Sequence, residues 1–130
     1  MIPYTIDATA HVVVLEYAED SPFDDWSLTM DAVLRDASFR PGFGFLLDRS
    51  RLTTAPSTAY IQRIVAYVQK HPTQLGGSRV ATLVSSNAAY GMTRMAEILL
   101  DPMQASARGF TDRAEALEWL RGADGPSAVA

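Results

Sequence analysis

The chain has no cysteine among its 130 residues. That excludes disulfides, thiol nucleophiles and cysteine metal sites, and it suits the reducing cytoplasm, the location expected for this protein. Histidine is scarce as well. His11 and His71 stand far apart and form no H-E-x-x-H or related spacing, so no metal-binding pattern is present. Basic excess is missing: the net charge is −4 and the pI is near 5.0, which argues against a nucleic-acid partner. No apolar run approaches the roughly 20 residues that span a bilayer, so no membrane span is expected. The opening "MIPYTID" has no basic region followed by a long apolar stretch, as a secretory signal would. The chain holds no G-x-S-x-G elbow and no Walker phosphate loop, and its "GFGF" and "GG" are too short for a dinucleotide signature. Asp24 and Asp25 are adjacent, and neighbours on a helix do not converge on one point. The expectation is therefore a protein that is not an enzyme and carries no cofactor.

What is present describes a globular domain. Hydrophobic residues make up 48% of the chain, enough for one core, and the mean hydropathy is zero. "IPYTID" alternates Ile2, Tyr4 and Ile6 with polar or turn-forming residues, the period of a half-buried strand, and Pro3 marks an edge. "HVVVLEY" reads as a second strand, hairpin-paired with the first. "SPFDDWSLTMDAVLRDASF" is a helix capped by Ser21, with Phe23, Trp26, Met30, Val33, Leu34 and Ala37 on one face. "FGFLLD" is a buried strand, followed by the loop "DRSRLTTAPST". "PSTAYIQRIVAYVQKH" is a helix facing inward through Ile61, Ile64, Val65 and Val68, and "PTQLGGS" is a loop. "RVATLVS" is a strand. "SNAAYGMTRMAEILLD" is a helix with Ala88, Met92, Met95 and Leu99 on one face. "QASARGF" is a strand, and "TDRAEALEWLRG" is a helix capped by Thr111 or Asp112.

The order ββαβαβαβα implies an α/β fold with a mixed, mostly parallel sheet and an antiparallel edge. The domain spans residues 1–122, and residues 123–130 form a tail. Ligands and partners of such sheets favour the carboxyl ends of the parallel strands. Two loops should meet there, "DRSRLTTAPST" and "SSNAAYG", each leading into a helix N-terminus. The candidate binding residues are Asp48, Arg49, Ser50, Arg51, Ser57, Thr58, Ser85, Asn87, Tyr90 and Arg94. Each has a plain structural reading too. Ser57, Thr58, Ser85, Ser86 and Asn87 are ordinary helix-capping residues. Arg49 and Arg51 are ordinary solvated charges, and Arg94 is placed to pair with Glu97 or Glu118.

Three segments carry a resemblance: "FLLDRS", "RVATLVSSNAAYGMTRM" and "GFTDRAEALEWL". On them the chain resembles the SpoIIAA-like group of STAS domains, among the bacterial STAS/SEC14-like proteins of unassigned function. The resemblance covers about residues 2–121 and implies helices packed mainly on one face of the sheet. In the anti-sigma-antagonist branch, the helix after the central strand opens on an Asp-Ser-Ser-Gly-like motif, whose first serine is phosphorylated. Here that motif falls on Pro56, Ser57, Thr58 and Ala59, which marks Ser57 for phosphorylation. The hydroxyls are kept; the acidic residue and the glycine are not.

Two functions follow as expectations. The first is a non-catalytic interaction or regulatory domain that meets a protein partner through the two loops and the neighbouring helix. The alternative is a protein binding a small lipid-like or anionic ligand in a pocket at the same crevice, where Met92 and Met95 would suit an adaptable apolar site. A homodimer is expected to use the "IPYTID" edge or Phe23 and Trp26.

Overall fold

A computed structural model describes residues 1–100 and 106–122. Two strands open the chain, β1 (Tyr4–Asp7) and β2 (Val12–Glu16), followed by α1 (Phe23–Arg35) and β3 (Gly44–Asp48). Then come α2 (Thr58–Lys70), α3 (Pro72–Leu75), β4 (Arg79–Leu83), α4 (Asn87–Leu100), β5 (Ser106–Phe110) and α5 (Arg113–Leu120). The five strands form one sheet in the order β1-β2-β3-β4-β5. β1 runs antiparallel to β2, and the other pairs are parallel. Pro3 does precede an edge strand, and its carbonyl accepts from Glu16 N–H at 3.0 Å.

Strand order follows chain order, so each crossover steps the same way across the sheet. Right-handed crossovers then place α1, α2 and α4 on one face. Side-chain alternation divides the core accordingly. Val13, Leu15, Tyr17, Phe45, Leu47 and Ala107 face the larger cluster with Trp26 and Met30 of α1 and Tyr67 and Val68 of α2. Val12, Leu46, Ala81, Leu83 and Phe110 face Ala116 and Leu120 of α5. The helices thus lie mainly on one face, with α5 alone on the other. Gly44 permits the close seating of α5, because a β-carbon there would stand 3.0 Å from Leu120 Cδ2.

Several local expectations change. Ser21 does not cap α1: Pro22 takes that position without a side-chain bond, while Ser21 Oγ donates to Glu19 O. α1 stops at Arg35 rather than Phe39, because Asp36 turns extended and its carboxylate accepts from Ser38 N–H at 2.9 Å and Tyr4 Oη at 3.0 Å. Ala37 consequently lies past the helix and is exposed. His11 is no strand residue but a turn residue with φ of 60°, its ring stacked on Phe43. Part of the "PTQLGGS" loop is the single turn α3, opened by Pro72. Trp26 is 4% exposed and Phe23 packs between Trp26 and Tyr60, so Trp26 offers no dimer surface. Leu99 is exposed rather than inward. Gln104 and Ala105 of the expected last strand, the Asp101-Pro102 helix stop and the 123–130 tail lie outside the described residues. Among the described residues, no helix is long and apolar enough to cross a membrane.

Candidate functional site

The two loops do lie side by side. Arg49 N–H donates to Leu83 O at 2.9 Å, and Ser85 Oγ donates to Leu52 O at 2.9 Å. Most of the polar residues there are occupied in holding the fold. Ser57 caps α2 by accepting from Tyr60 N–H at 3.1 Å. Ser86 does the same at α4 for Ala89 N–H at 3.1 Å, leaving Asn87 as the first helical residue. The Asp48 carboxylate accepts from Ser50 N–H at 3.0 Å, Ser50 Oγ at 2.6 Å and Arg113 Nη1 at 2.8 Å, which ties the loop to α5. Arg51, Thr58, Tyr90 and Arg94 are exposed. Glu97, the partner suggested for Arg94, has a side chain outside the described set.

Arg49 departs from its expected place. It is no solvated charge: the residue is 7% exposed, with its guanidinium 4.8 Å from the centre of the Tyr17 ring. Nη2 lies 3.4 Å from the Asp20 carboxylate, whose other oxygen accepts from the Thr54 hydroxyl. Strand alternation explains the burial. Phe45, Leu47 and Arg49 point to the same face, and the first two are core. The third position on that row is carried inward just past the strand end.

Arg49 turns toward a cavity of about 90 Å³ between the sheet and the α1/α2 layer. Its floor is Phe45 and Leu47 of β3, Ser78 just before β4 with Val80 and Thr82 of β4, and Ala107 of β5. Its roof is Trp26 and Met30 of α1 with Tyr60, Ile61, Ile64 and Val68 of α2. Tyr17, Arg49 and Pro56 stand at the end nearest the loops, and Leu75 and Ser78 at the other. From Ser78 to Thr82 the floor runs about 13 Å at strand rise. The cavity is therefore elongated and lies beneath the expected crevice rather than between its loops. Neither Met92 nor Met95 lines it; the methionine that does is Met30 of α1.

The polar atoms of this cavity set it apart from an ordinary packing defect. Among the described residues, four buried side-chain atoms lack a hydrogen-bond partner: Trp26 Nε1, Arg49 Nε, Tyr60 Oη and Ser78 Oγ. All four belong to residues lining this cavity. A buried polar atom without a partner costs about 1–3 kcal/mol, so native folds keep few of them. Tyr17 and Tyr60 face each other closely enough for each to perturb the other, yet Tyr60 Oη reaches no acceptor. Burial pushes the Tyr17 phenol well above its ordinary value, with nearby Tyr60 adding to the rise and Arg49 opposing it. Burial also raises Tyr60, again against the pull of Arg49. Both phenols are held neutral, as donors.

Sequence reasoning named Arg49 but not Tyr17, Trp26, Tyr60 or Ser78 as site residues. The available signal was a polar-tipped aromatic on an apolar face, Trp26 on α1 and Tyr60 one position from Ile61 on α2. Ser78, in a Gly-Gly-Ser loop, gave no signal. The histidines have local roles. His71 Nδ1 donates to Tyr67 O at 2.9 Å at the α2 C-terminus, and its ring stacks on Tyr67.

The sheet and its helix layers define an α/β domain with a SpoIIAA-like fold. Among solved structures, the chain is similar to an uncharacterized protein of the DUF3478 family from Shewanella loihica PV-4, described as having a SpoIIAA-like fold. The two share 18% identity over 84% of this chain and 82% of that one, with a TM-score of 0.52. No protein-family model matches the chain, and no curated protein matches it. The fold implied by the resemblance in sequence is thus the fold observed.

Proposed function

We propose that this chain is a non-catalytic binding domain whose cavity, between the sheet and the α1/α2 layer, holds a small and mostly apolar molecule. One observation carries the reading: the four partnerless buried polar atoms all belong to residues around one apolar cavity. Packing alone gives no reason for a tryptophan N–H, an arginine Nε, a phenol and a serine hydroxyl to gather there unsatisfied. A resident molecule with hydrogen-bond acceptors supplies that reason, and convergent polar groups in an apolar pocket are the usual form of a ligand site.

Native mass spectrometry of freshly purified protein tests this directly. A bound mass that departs on denaturation is the expected result. Protein free of bound mass, together with no thermal shift from any small amphiphile, refutes the reading.

A second reading is supported by α4. Tyr90, Ile98 and Leu99 are large apolar residues left exposed on that helix, Tyr90 in the first turn next to the loop pair and Ile98 and Leu99 in the last turn, about 12 Å farther along. They favour a protein partner laid along α4, with Ser57, Thr58, Asn87 and Arg94 at the end where the helix meets the loops. Pull-down on wild type and on Ile98→Asp separates the cases: a specific partner should be captured by the first and lost by the second. The free edge of β1 is the surface proposed for pairing two copies, and light scattering reads that state.

A further inference from the structure

We infer that the ligand of the cavity is a small aliphatic carboxylate whose head group is bound by Arg49, an inference that rests on the binding-domain reading above. The donor set selects the head group. Arg49 Nε and Trp26 Nε1 can only donate, and the Tyr60 phenol is held in its neutral, donating form. The ligand must therefore bring acceptors. Trp26, Arg49 and Ser78 are 4%, 7% and 2% exposed, so these atoms do not turn to solvent instead.

Charge narrows the class further. Among the described residues, Arg49 is the one cation in the lining, and Asp20 approaches its Nη2 from the exposed side. Nε is left without an acceptor on the same guanidinium. A carboxylate presents two oxygens to a guanidinium edge and one negative charge, which suits the Nε donor and the charge of Arg49. A phosphate monoester would bring about two charges into a wall with one cation already shared with Asp20. Arg63, the next cation of α2, sits over Phe23 and pairs with Asp24, outside the lining. A cationic ligand would meet Arg49 as a like charge. A neutral one could accept from Nε but would bring no opposite charge to the guanidinium.

Shape and size set the rest. Arg49, Tyr60 and Tyr17 gather at the loop end, and Phe23 joins Tyr60 to Trp26 through ring contacts of 5.9 and 5.5 Å. Beyond them the walls are Met30, Leu47, Ile64, Val68 and Val80, and the Ser78 hydroxyl stands at the far end, out of reach of a short ligand held at Arg49. The part nearest the loops, polar head and then hydrocarbon, has the order of an aliphatic acid. A cavity of about 90 Å³ is smaller than the roughly 150 Å³ that takes one benzene, so the chain is short.

Calorimetric titration of the full chain with propanoate, propanol and propylammonium tests the inference. Propanoate should bind about tenfold tighter than propanol, and propylammonium should not bind. Arg49→Met should erase the preference for propanoate. In the NMR spectrum, the indole N–H of Trp26 should move with propanoate. That of Trp119, which packs on Phe110 with the α5-side cluster, should stay. Equal affinity for propanoate and propanol, or a preference that survives Arg49→Met, overturns the carboxylate and leaves the cavity reading standing. No binding of any of the three, with Trp26 unmoved, overturns both. The comparison of propanoate with propanol on the unaltered protein decides the head group even where Arg49→Met fails to fold.

Discussion

Ser57 shows how one side chain can answer to two readings. Its hydroxyl accepts from Tyr60 N–H, so it caps α2, yet the residue is exposed where the resemblance in sequence implies a phosphorylated serine. Removing the acceptor tests the cap. Ser57→Ala should lower stability by about 1 kcal/mol, read from the urea midpoint at unchanged slope. Ser57→Asp keeps an acceptor and adds a charge that the helix N-terminus favours, so it should stay within a few tenths of wild type. An unchanged midpoint in Ser57→Ala would remove the capping role and leave the hydroxyl free for a partner. Tyr67 offers a contrast with Tyr60. Its phenol donates to Asp31 at 2.7 Å, whereas the Tyr60 phenol faces Tyr17 but has no partner within hydrogen-bond distance. Tyr67→Phe should therefore cost about 1 kcal/mol, the ordinary worth of a satisfied hydrogen bond.

At the scale of elements, the seam between α1, α2 and the sheet carries Tyr17, Tyr60 and Tyr67, and they give it a pH response. Burial raises the Tyr17, Tyr60 and Tyr67 phenols, and Tyr67 is raised further by its bond to the Asp31 carboxylate. Each is held protonated in the folded state above the pH at which it ionises when unfolded, about 10. Their contribution is fully present below about pH 10 and is lost as the pH climbs toward the folded values. The urea midpoint should hold to about pH 9 and fall from about pH 10 upward, and less so in Tyr67→Phe. A midpoint still flat at about pH 12 would refute the seam as the alkaline weak point. Which of these elements could be read in advance follows from their physics. The strands and long helices announced themselves by periodicity, and Asp112, one of two candidate caps, does accept from Ala114 N–H. α3 is a single turn, too short for any period, and the early end of α1 depends on Tyr4 reaching Asp36 from a strand distant in sequence. The cavity was illegible for the same reason. Its walls come from three strands, three helices and the segments between them, and no local pattern records which side chains fail to find partners there.

For the molecule as a whole, the cavity is a stability cost distributed along the domain. Tyr60 Oη lies at the loop end and Ser78 Oγ at the far end of the floor, both without partners. If their purpose is to meet a ligand, then the empty protein gains by losing them. Tyr60→Phe should raise the stability of ligand-free protein by about 1 kcal/mol, since it deletes a buried hydroxyl and keeps the ring. Ser78→Ala should act in the same direction. Because roughly 13 Å of strand separates the two ends, the gains should add within about 0.5 kcal/mol in the double variant. Saturating propanoate should reverse the order for Tyr60→Phe. Wild type gains stability from the ligand by mass action, and the variant lacking the head-group donor gains less. Ser78→Ala, out of reach of the head group, should keep its gain. Urea denaturation of the four proteins, with and without propanoate, reads both halves of this claim. Variants less stable than wild type when empty would mean that these hydroxyls already have partners, and the cavity would then be packing rather than a site.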